Sequence, residues 1–249
     1  MLTDTHCHLA DPAFSGNLPE VLAAARRAGV RRFIVPATQR DDFDAVLALA
    51  SADIRPALGI HPWFAAAAAE ADLAQLQTLL QHHPQAWVGE IGLDFYARNP
   101  NAAERVQQAE MLLAQLRLAE QLRRPVILHN LKATAALVAA IRRSGFTQGG
   151  IAHAFSGSLE EAHALIRCGL FIGIGSLLLN PAAKKARRAA AELPLAHIVL
   201  ETDSPFMLKN QTNTPANVRK IAETVAGLRG ISLAEVAAQT EKNINSLSA

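Results

Sequence analysis

Leu2-Thr3-Asp4-Thr5-His6-Cys7-His8-Leu9-Ala10-Asp11-Pro12 opens the chain and decides its fold class. Residues 2–8 read as a strand, and the strand ends on two histidines. Two residues apart on a strand, His6 and His8 point to the same side, whereas Cys7 points the opposite way, toward a helix layer, as a small buried apolar residue. The next residues are Leu9-Ala10-Asp11-Pro12. A doubly wound sheet usually places a glycine-rich phosphate loop after its first strand, and none is here. Seven further runs alternate with Ala/Leu-rich segments of helical period: Arg32–Pro36, Arg55–Ile60, Trp87–Gly92, Val126–His129, Gly150–His153, Leu170–Gly175 and His197–Asp203. Eight strands separated by helices are the number that closes an α/β barrel of the TIM type, (β/α)8.

The segments between the strands support this reading. Leu18–Ala28 and Ala103–Leu122 carry apolar residues at helical spacing. Ser158, followed by Glu160 and Glu161, reads as a helix start. Gly29, Gly145 and Gly169 stand where a helix would end and a strand begin. Two helices, about Pro215–Arg229 and Ser232–Leu247, come after the last strand, and the second is expected to be an extra C-terminal closing helix. No linker interrupts the series, so residues 1–249 read as one domain.

Composition sets limits on function. Of the 249 residues half are hydrophobic and 18% are charged, which excludes a disordered chain. The net charge of +2 gives no global basic field, so a nucleic-acid substrate would need a local site. Two cysteines, Cys7 and Cys168, make no disulfide scaffold and fit a reducing cytoplasm. Asp4 and His6 stand where a signal peptide needs apolar residues, and the longest small-residue run, Phe64–Ala69, falls far short of the ~20 residues of a membrane span. A cytoplasmic protein without a membrane partner is expected.

Strands of a closed barrel are buried on both faces and should be apolar throughout. These are, except at their C-terminal ends: His6 and His8 on the first, Glu90 on the fourth, His129 on the fifth, His153 on the sixth and Asp203 on the eighth. The C-terminal rim is where such barrels place their active sites. Imidazoles and carboxylates buried together need compensation, and a divalent cation provides it. An isolated histidine such as His129 or His153 is as readily a hydrogen-bonded core residue. A carboxylate inside Val88-Gly89-Glu90-Ile91-Gly92 has no such bland explanation.

Six motifs in order make the chain recognisable: Asp4-Thr5-His6-Cys7-His8-Leu9, Gly59-Ile60-His61-Pro62, Gly89-Glu90-Ile91-Gly92-Leu93-Asp94-Phe95, Pro125-Val126-Ile127-Leu128-His129, His153-Ala154-Phe155-Ser156-Gly157 and Glu201-Thr202-Asp203-Ser204-Pro205. The sequence resembles the TatD family of metal-dependent hydrolases, in the amidohydrolase superfamily of barrels. The resemblance covers nearly the whole chain and implies a site for two divalent cations: His6, His8 and Asp203 on one, His129 and His153 on the other, Glu90 bridging. It implies hydrolysis of DNA phosphodiester bonds, often exonucleolytic, with nucleic acid as the partner. The same machinery acting on an ester or amide, such as an aminoacyl-tRNA or a small cyclic amide, is the alternative. A non-enzymatic metal-binding or interaction protein is a lesser one. Histidines and carboxylates suit zinc, manganese, iron or cobalt, and magnesium less well.

The resemblance also implies roles for individual residues. Paired cations clamp the attacking and leaving oxygens of an in-line displacement, and Asp203 is the catalytic group that takes the water's proton. Glu201, two residues earlier, would orient a ligand from behind or sit in a buried ion pair. By resemblance, His61 contacts the scissile phosphate. Two residues after His129 the family commonly carries an arginine; here stands Leu131, with Lys132 next as the candidate phosphate contact. Trp63, Phe64, Phe95, Tyr96, Phe155 and Phe206 lie just past strand ends, where they could stack on bases or seal the rim. Lys184, Lys185, Arg187 and Arg188 read as a solvated helix face. The terminal stretch 245–249 lacks the closing phenylalanine common in relatives, a difference expected to affect packing only.

Overall fold

Short apolar runs between amphipathic segments can bury both faces only inside a ring of helices, and that is how they are arranged. A computed structural model describes residues 1–247. Its strands are β1 Leu2–Asp4, β2 Val30–Pro36, β3 Ile54–Leu58, β4 Trp87–Asp94, β5 Val126–Leu131, β6 Gly150–Ala152, β7 Leu170–Ile174 and β8 Ile198–Leu200. Its helices are α1 Leu18–Arg27, α2 Phe43–Ala48, α3 Glu70–His82, α4 Ala102–Leu122, α5 Thr134–Ser144, α6 Leu159–Ile166, α7 Lys184–Glu192, α8 Val218–Arg229 and α9 Leu233–Ser246. Ser248 and Ala249, at the end of the terminal stretch 245–249, lie outside the described residues.

All neighbouring strands pair in parallel, in chain order from β1 to β8. The two ends of the sheet meet: Thr5 N–H donates to Leu200 O at 3.0 Å, and Cys7 bridges Ser204. The expected (β/α)8 barrel is therefore present, although several strands have different ends. β1 stops at Asp4 rather than His8, because the Asp4 carboxylate accepts from His6 N–H and Thr202 N–H and so replaces the sheet ladder there. β6 stops at Ala152 and β8 at Leu200, while β4 runs on to Asp94. Glu90 consequently sits inside its strand, not at its end, beside an irregularity in register between Val88 and Ile91.

Local chemistry explains the helix boundaries. Ser158 caps α6, accepting from Glu161 N–H while the Glu161 carboxylate accepts from Ser158 N–H. Gly145 ends α5 at φ +71°, a conformation that costs glycine nothing. Gly92 answers to packing instead: with φ +144°, a Cβ there would lie 2.0 Å from His129 O on the neighbouring strand.

The apolar core has two parts. The larger joins strands to the outer helices and holds Cys7, which donates to Ile34 O across 3.7 Å. The smaller holds Ile34 of β2, Ala57, Trp87, Ile127, Ile151 and Val199 from five further strands, and Ile244 of α9. Because strand residues alternate sides, the position two beyond Ile127 is His129 and two beyond Ile151 is His153. Four beyond Ala57 and Val199 come His61 and Asp203. An apolar layer inside the barrel thus carries the polar one. α9 closes the opposite end, where Asn243 donates to Leu195 O and Ile198 O and Glu241 receives Thr3 Oγ1–H at 2.6 Å. The expected closing helix is a stopper.

Candidate metal centre

His6 and His8 lie just past β1, yet their rings converge, with Nε2 atoms 3.1 Å apart. Backbone bonds to the segment after β8 hold them: His8 N–H donates to Ser204 O at 2.7 Å and Asp203 N–H to His6 O at 2.8 Å. Asp4, fully buried, also accepts from Thr202 Oγ1–H at 2.6 Å. Asp203 adopts a left-handed backbone, φ +56°, and its Oδ1 lies 3.5 Å from His6 Nε2 and 3.4 Å from His8 Nε2.

Glu90 is buried at the middle of the cluster and divides its two oxygens. Oε2 faces His6 Nε2 at 3.3 Å and His8 Nε2 at 3.8 Å. Oε1 faces His153 Nε2 at 2.7 Å, His129 Nδ1 at 2.9 Å and His61 Nε2 at 3.3 Å. Three overlapping sets result, His6/His8/Asp203, His6/Glu90/His153 and His61/Glu90/His129, each with ligand-type atoms within 4.8 Å of one another. Neutral imidazole nitrogens and carboxylate oxygens are the donors that suit a borderline divalent cation, so the residues present fit such an ion.

The electrostatics arise from burial and proximity. Burial, helped by the nearby His153, lowers His6 to about 4, so its ring is neutral at ordinary pH. Burial likewise lowers His61. Burial opposes charge on His129, but the carboxylates of Asp94 and Glu90 outweigh it and push the ring up to about 9. His8 is raised too, its burial outweighed by Asp203. Burial would raise Glu90, yet His153, His61 and His6 hold it well below the usual carboxylate range. Asp203 is lowered in the same way, with His8 and His6 outweighing burial.

All six expected ligand residues are thus brought together. His61, expected to face the substrate, has its Nε2 inside the donor cluster, while its Nδ1 accepts from Trp63 N–H. Glu201 is wholly buried, and among the described residues it hydrogen-bonds no ligand ring and forms no ion pair. It accepts from the backbone N–H of Ala154, next to His153, and burial pushes its carboxyl well above the usual range. Its bulk fills the space that a Cβ on Gly173 would need. Lys132 is exposed on the turn after β5 and pairs with no acidic residue of the centre, and Leu131 is half-buried. Of the aromatics, Trp63, Tyr96 and Phe206 are exposed, Phe155 is buried, and Phe64 and Phe95 are half-buried. Lys184, Lys185 and Arg188 are exposed on α7, opposite its buried alanines.

Asp94 was not singled out by its sequence context. Its Oδ2 lies 3.3 Å from His129 Nε2 and accepts from Trp63 Nε1–H at 2.8 Å. His129 and the backbone N–H groups of Ala97 and Tyr96 outweigh burial and hold its carboxyl well below the ordinary range. The signal was present: Glu90 and Asp94, four apart, share one face of β4.

Comparison with known proteins points to a metal-dependent hydrolase. Residues 3–248 match the family described as TatD related DNase. An uncharacterized metal-dependent hydrolase of Escherichia coli K12, YjjV, is 38% identical over 242 residues, covering 94% of this chain and 92% of that protein. The crystal structure of YjjV superposes with a TM-score of 0.92 at 36% identity, covering 99% of this chain and 97% of the other. A 3'-5' ssDNA/RNA exonuclease TatD of Edwardsiella piscicida is 34% identical, covering 99% and 98% of the two chains.

Proposed function

The chain belongs to the TatD-related DNase family, and on that premise we propose that it hydrolyses phosphodiester bonds of nucleic acid, DNA foremost, with two divalent cations at the mouth of the barrel. The observation that carries this reading is the division of Glu90, one oxygen toward His6 and His8 and the other toward His129 and His153. His6, His8 and Asp203 would hold one ion, His129 and His153 the other, with Glu90 between them. When bound, such a pair supplies Lewis-acid charge to the attacking and leaving oxygens of an in-line displacement.

The chain's own residues do the rest. Asp203 uses Oδ1 toward His6 and His8. Its side chain keeps some exposure to the mouth, and its lowered pKa keeps it ionised at neutral pH. It accepts the proton of the attacking water and returns it to the leaving oxygen. Asp94 and Trp63 fix the His129 side of the wall. Glu201 braces the backbone after His153. The exposed rings of Trp63 and Phe206 flank the centre as stacking surfaces for bases. The Edwardsiella relative's activity on single-stranded DNA and RNA supports a strand as substrate. Leu131, apolar and half-buried at the end of β5, favours the second reading, an ester or amide substrate uncharged at that point. We place the protein in the cytoplasm, a reading supported by two free cysteines. Among the described residues no helix is long and apolar enough to cross a membrane.

The test is turnover by metal-loaded protein on single-stranded DNA, duplex DNA, RNA, aminoacyl-tRNA and small esters. DNA cleavage is expected, and Asp203→Asn should lower it by about 10²–10⁴ with the circular-dichroism spectrum unchanged. Turnover confined to the esters or the aminoacyl-tRNA would overturn the nuclease reading.

A further inference from the structure

Trp63 is fixed to the centre at one edge and open to solvent at the other. Its indole N–H donates to Asp94 Oδ2, the oxygen that also faces His129. Its ring packs edge-on against His61, centroids 4.9 Å apart, and lies 6.4 Å from His129. Even so, 40% of the residue is exposed. Over that ring lies the guanidinium of Arg98, 4.4 Å from the centroid and 5.7 Å from the ring of Phe64. Arg98 belongs to the loop between β4 and α4. The start of that loop is pinned by Asp94 Oδ1, which accepts from Tyr96 N–H at 2.8 Å and Ala97 N–H at 2.7 Å.

Arg98 differs from the arginines held in ion pairs. Arg40 pairs with Asp72, Arg188 with Glu192 and Arg219 with Glu223. Among the described residues no carboxylate lies within ion-pair distance of Arg98; it is exposed and stacked on an aromatic one ring removed from His129. A guanidinium lying over an aromatic face spends none of its N–H donors on the ring, and those donors match a phosphate. Lys132, exposed on the turn after β5, shows no such stacking among the described residues.

We propose that Arg98, held on Trp63, is a binding subsite for the phosphate next to the scissile one on a polynucleotide strand. The proposal rests on the phosphodiesterase reading of the metal centre. The test compares Arg98→Gln and Arg98→Lys with wild type, all metal-loaded, on a single-stranded DNA oligonucleotide and on bis(p-nitrophenyl) phosphate, a diester with a single phosphate. Arg98→Gln should raise KM for the oligonucleotide about tenfold or more. It should also make the log–log salt dependence shallower by about 0.7, one phosphate's share on a single strand. The small diester, which has no second phosphate, should be turned over at the wild-type rate, and Arg98→Lys should recover part of the lost affinity. An equal loss on both substrates, or no change on either, overturns the proposal.

Binding is measured separately, by fluorescence anisotropy with a labelled phosphorothioate oligonucleotide that resists hydrolysis. If wild type binds it and Arg98→Gln weakens binding while neither substrate is cleaved, Arg98 is a phosphate contact but the nuclease reading, and with it the subsite beside a scissile phosphate, falls. If wild type cleaves DNA and Arg98→Gln binds and cleaves equally well, the subsite alone falls. A wild type that neither binds nor cleaves overturns both.

Discussion

Glu90 serves two groups of histidines through separate oxygens, so neutralising it should act on both at once. Glu90→Gln keeps the shape of the side chain and removes its charge. Elemental analysis of the variant after saturation with divalent cation should show both ions reduced; two full equivalents would remove Glu90 as the bridge. His129 makes a pH prediction. Its ring sits at about 9 in the metal-free fold, because Asp94 and Glu90 outweigh burial, against roughly 6.5 for an unfolded chain. A raised histidine contributes stability that is fully present below about 6.5 and lost as pH climbs through about 9. A cation needs the ring neutral, so loading near neutral pH must expel a proton from it. Cation affinity should therefore rise with pH across the same window in which the metal-free protein loses stability. Cation titrations and thermal melts at several pH values check both, and a flat affinity would contradict the assignment.

β4 is the element on which the site depends most, and its boundaries show what a sequence can hide. A carboxylate interrupting the apolar run Trp87–Gly92 is enough to mark Glu90 as a site residue, although strict alternation would turn it away from Trp87; the irregularity between Val88 and Ile91 brings both to the inside. A strand read as ending at Gly92 leaves Asp94 outside it, although β4 continues for two residues and keeps Asp94 on the face of Glu90. The continuation depends on Gly92, whose missing Cβ lets β5 approach, and sequence pattern does not display that closeness. At the other end of the barrel α9 does work of a different kind. Ile244 is buried in the inner cluster, far along the barrel axis from the histidines. Ile244→Ala should lower stability by about 2–5 kcal/mol. In a barrel the rim opposite the active site carries stability, so kcat/KM at a temperature where the variant is folded should be retained. Denaturant midpoints and steady-state rates on the same preparation separate the two effects, and parallel loss would show that the stopper also shapes the mouth.

Across the whole molecule, eight β-branched runs between helical segments were enough to give the barrel, and ligand-type residues breaking those runs were enough to give the centre. What stayed hidden are contacts between segments remote in sequence: Asp4 with Thr202, Trp63 with Asp94, Arg98 with Trp63. Each joins a strand end or loop to a loop from a different segment, and no periodicity within one segment encodes it. The first of these meetings also governs how the molecule comes into being. Thr5 finds Leu200 across 195 positions and Asp4 finds Thr202 across 198. Contacts of such span demand closing nearly the entire polypeptide into a loop, and chains dominated by them fold late and slowly. During synthesis His6 and His8 emerge well before Asp203, 197 and 195 positions further along. A chain that stops before residue 203 would lack the residue proposed here to take the water's proton, so the proposed hydrolysis would have to wait for this late segment.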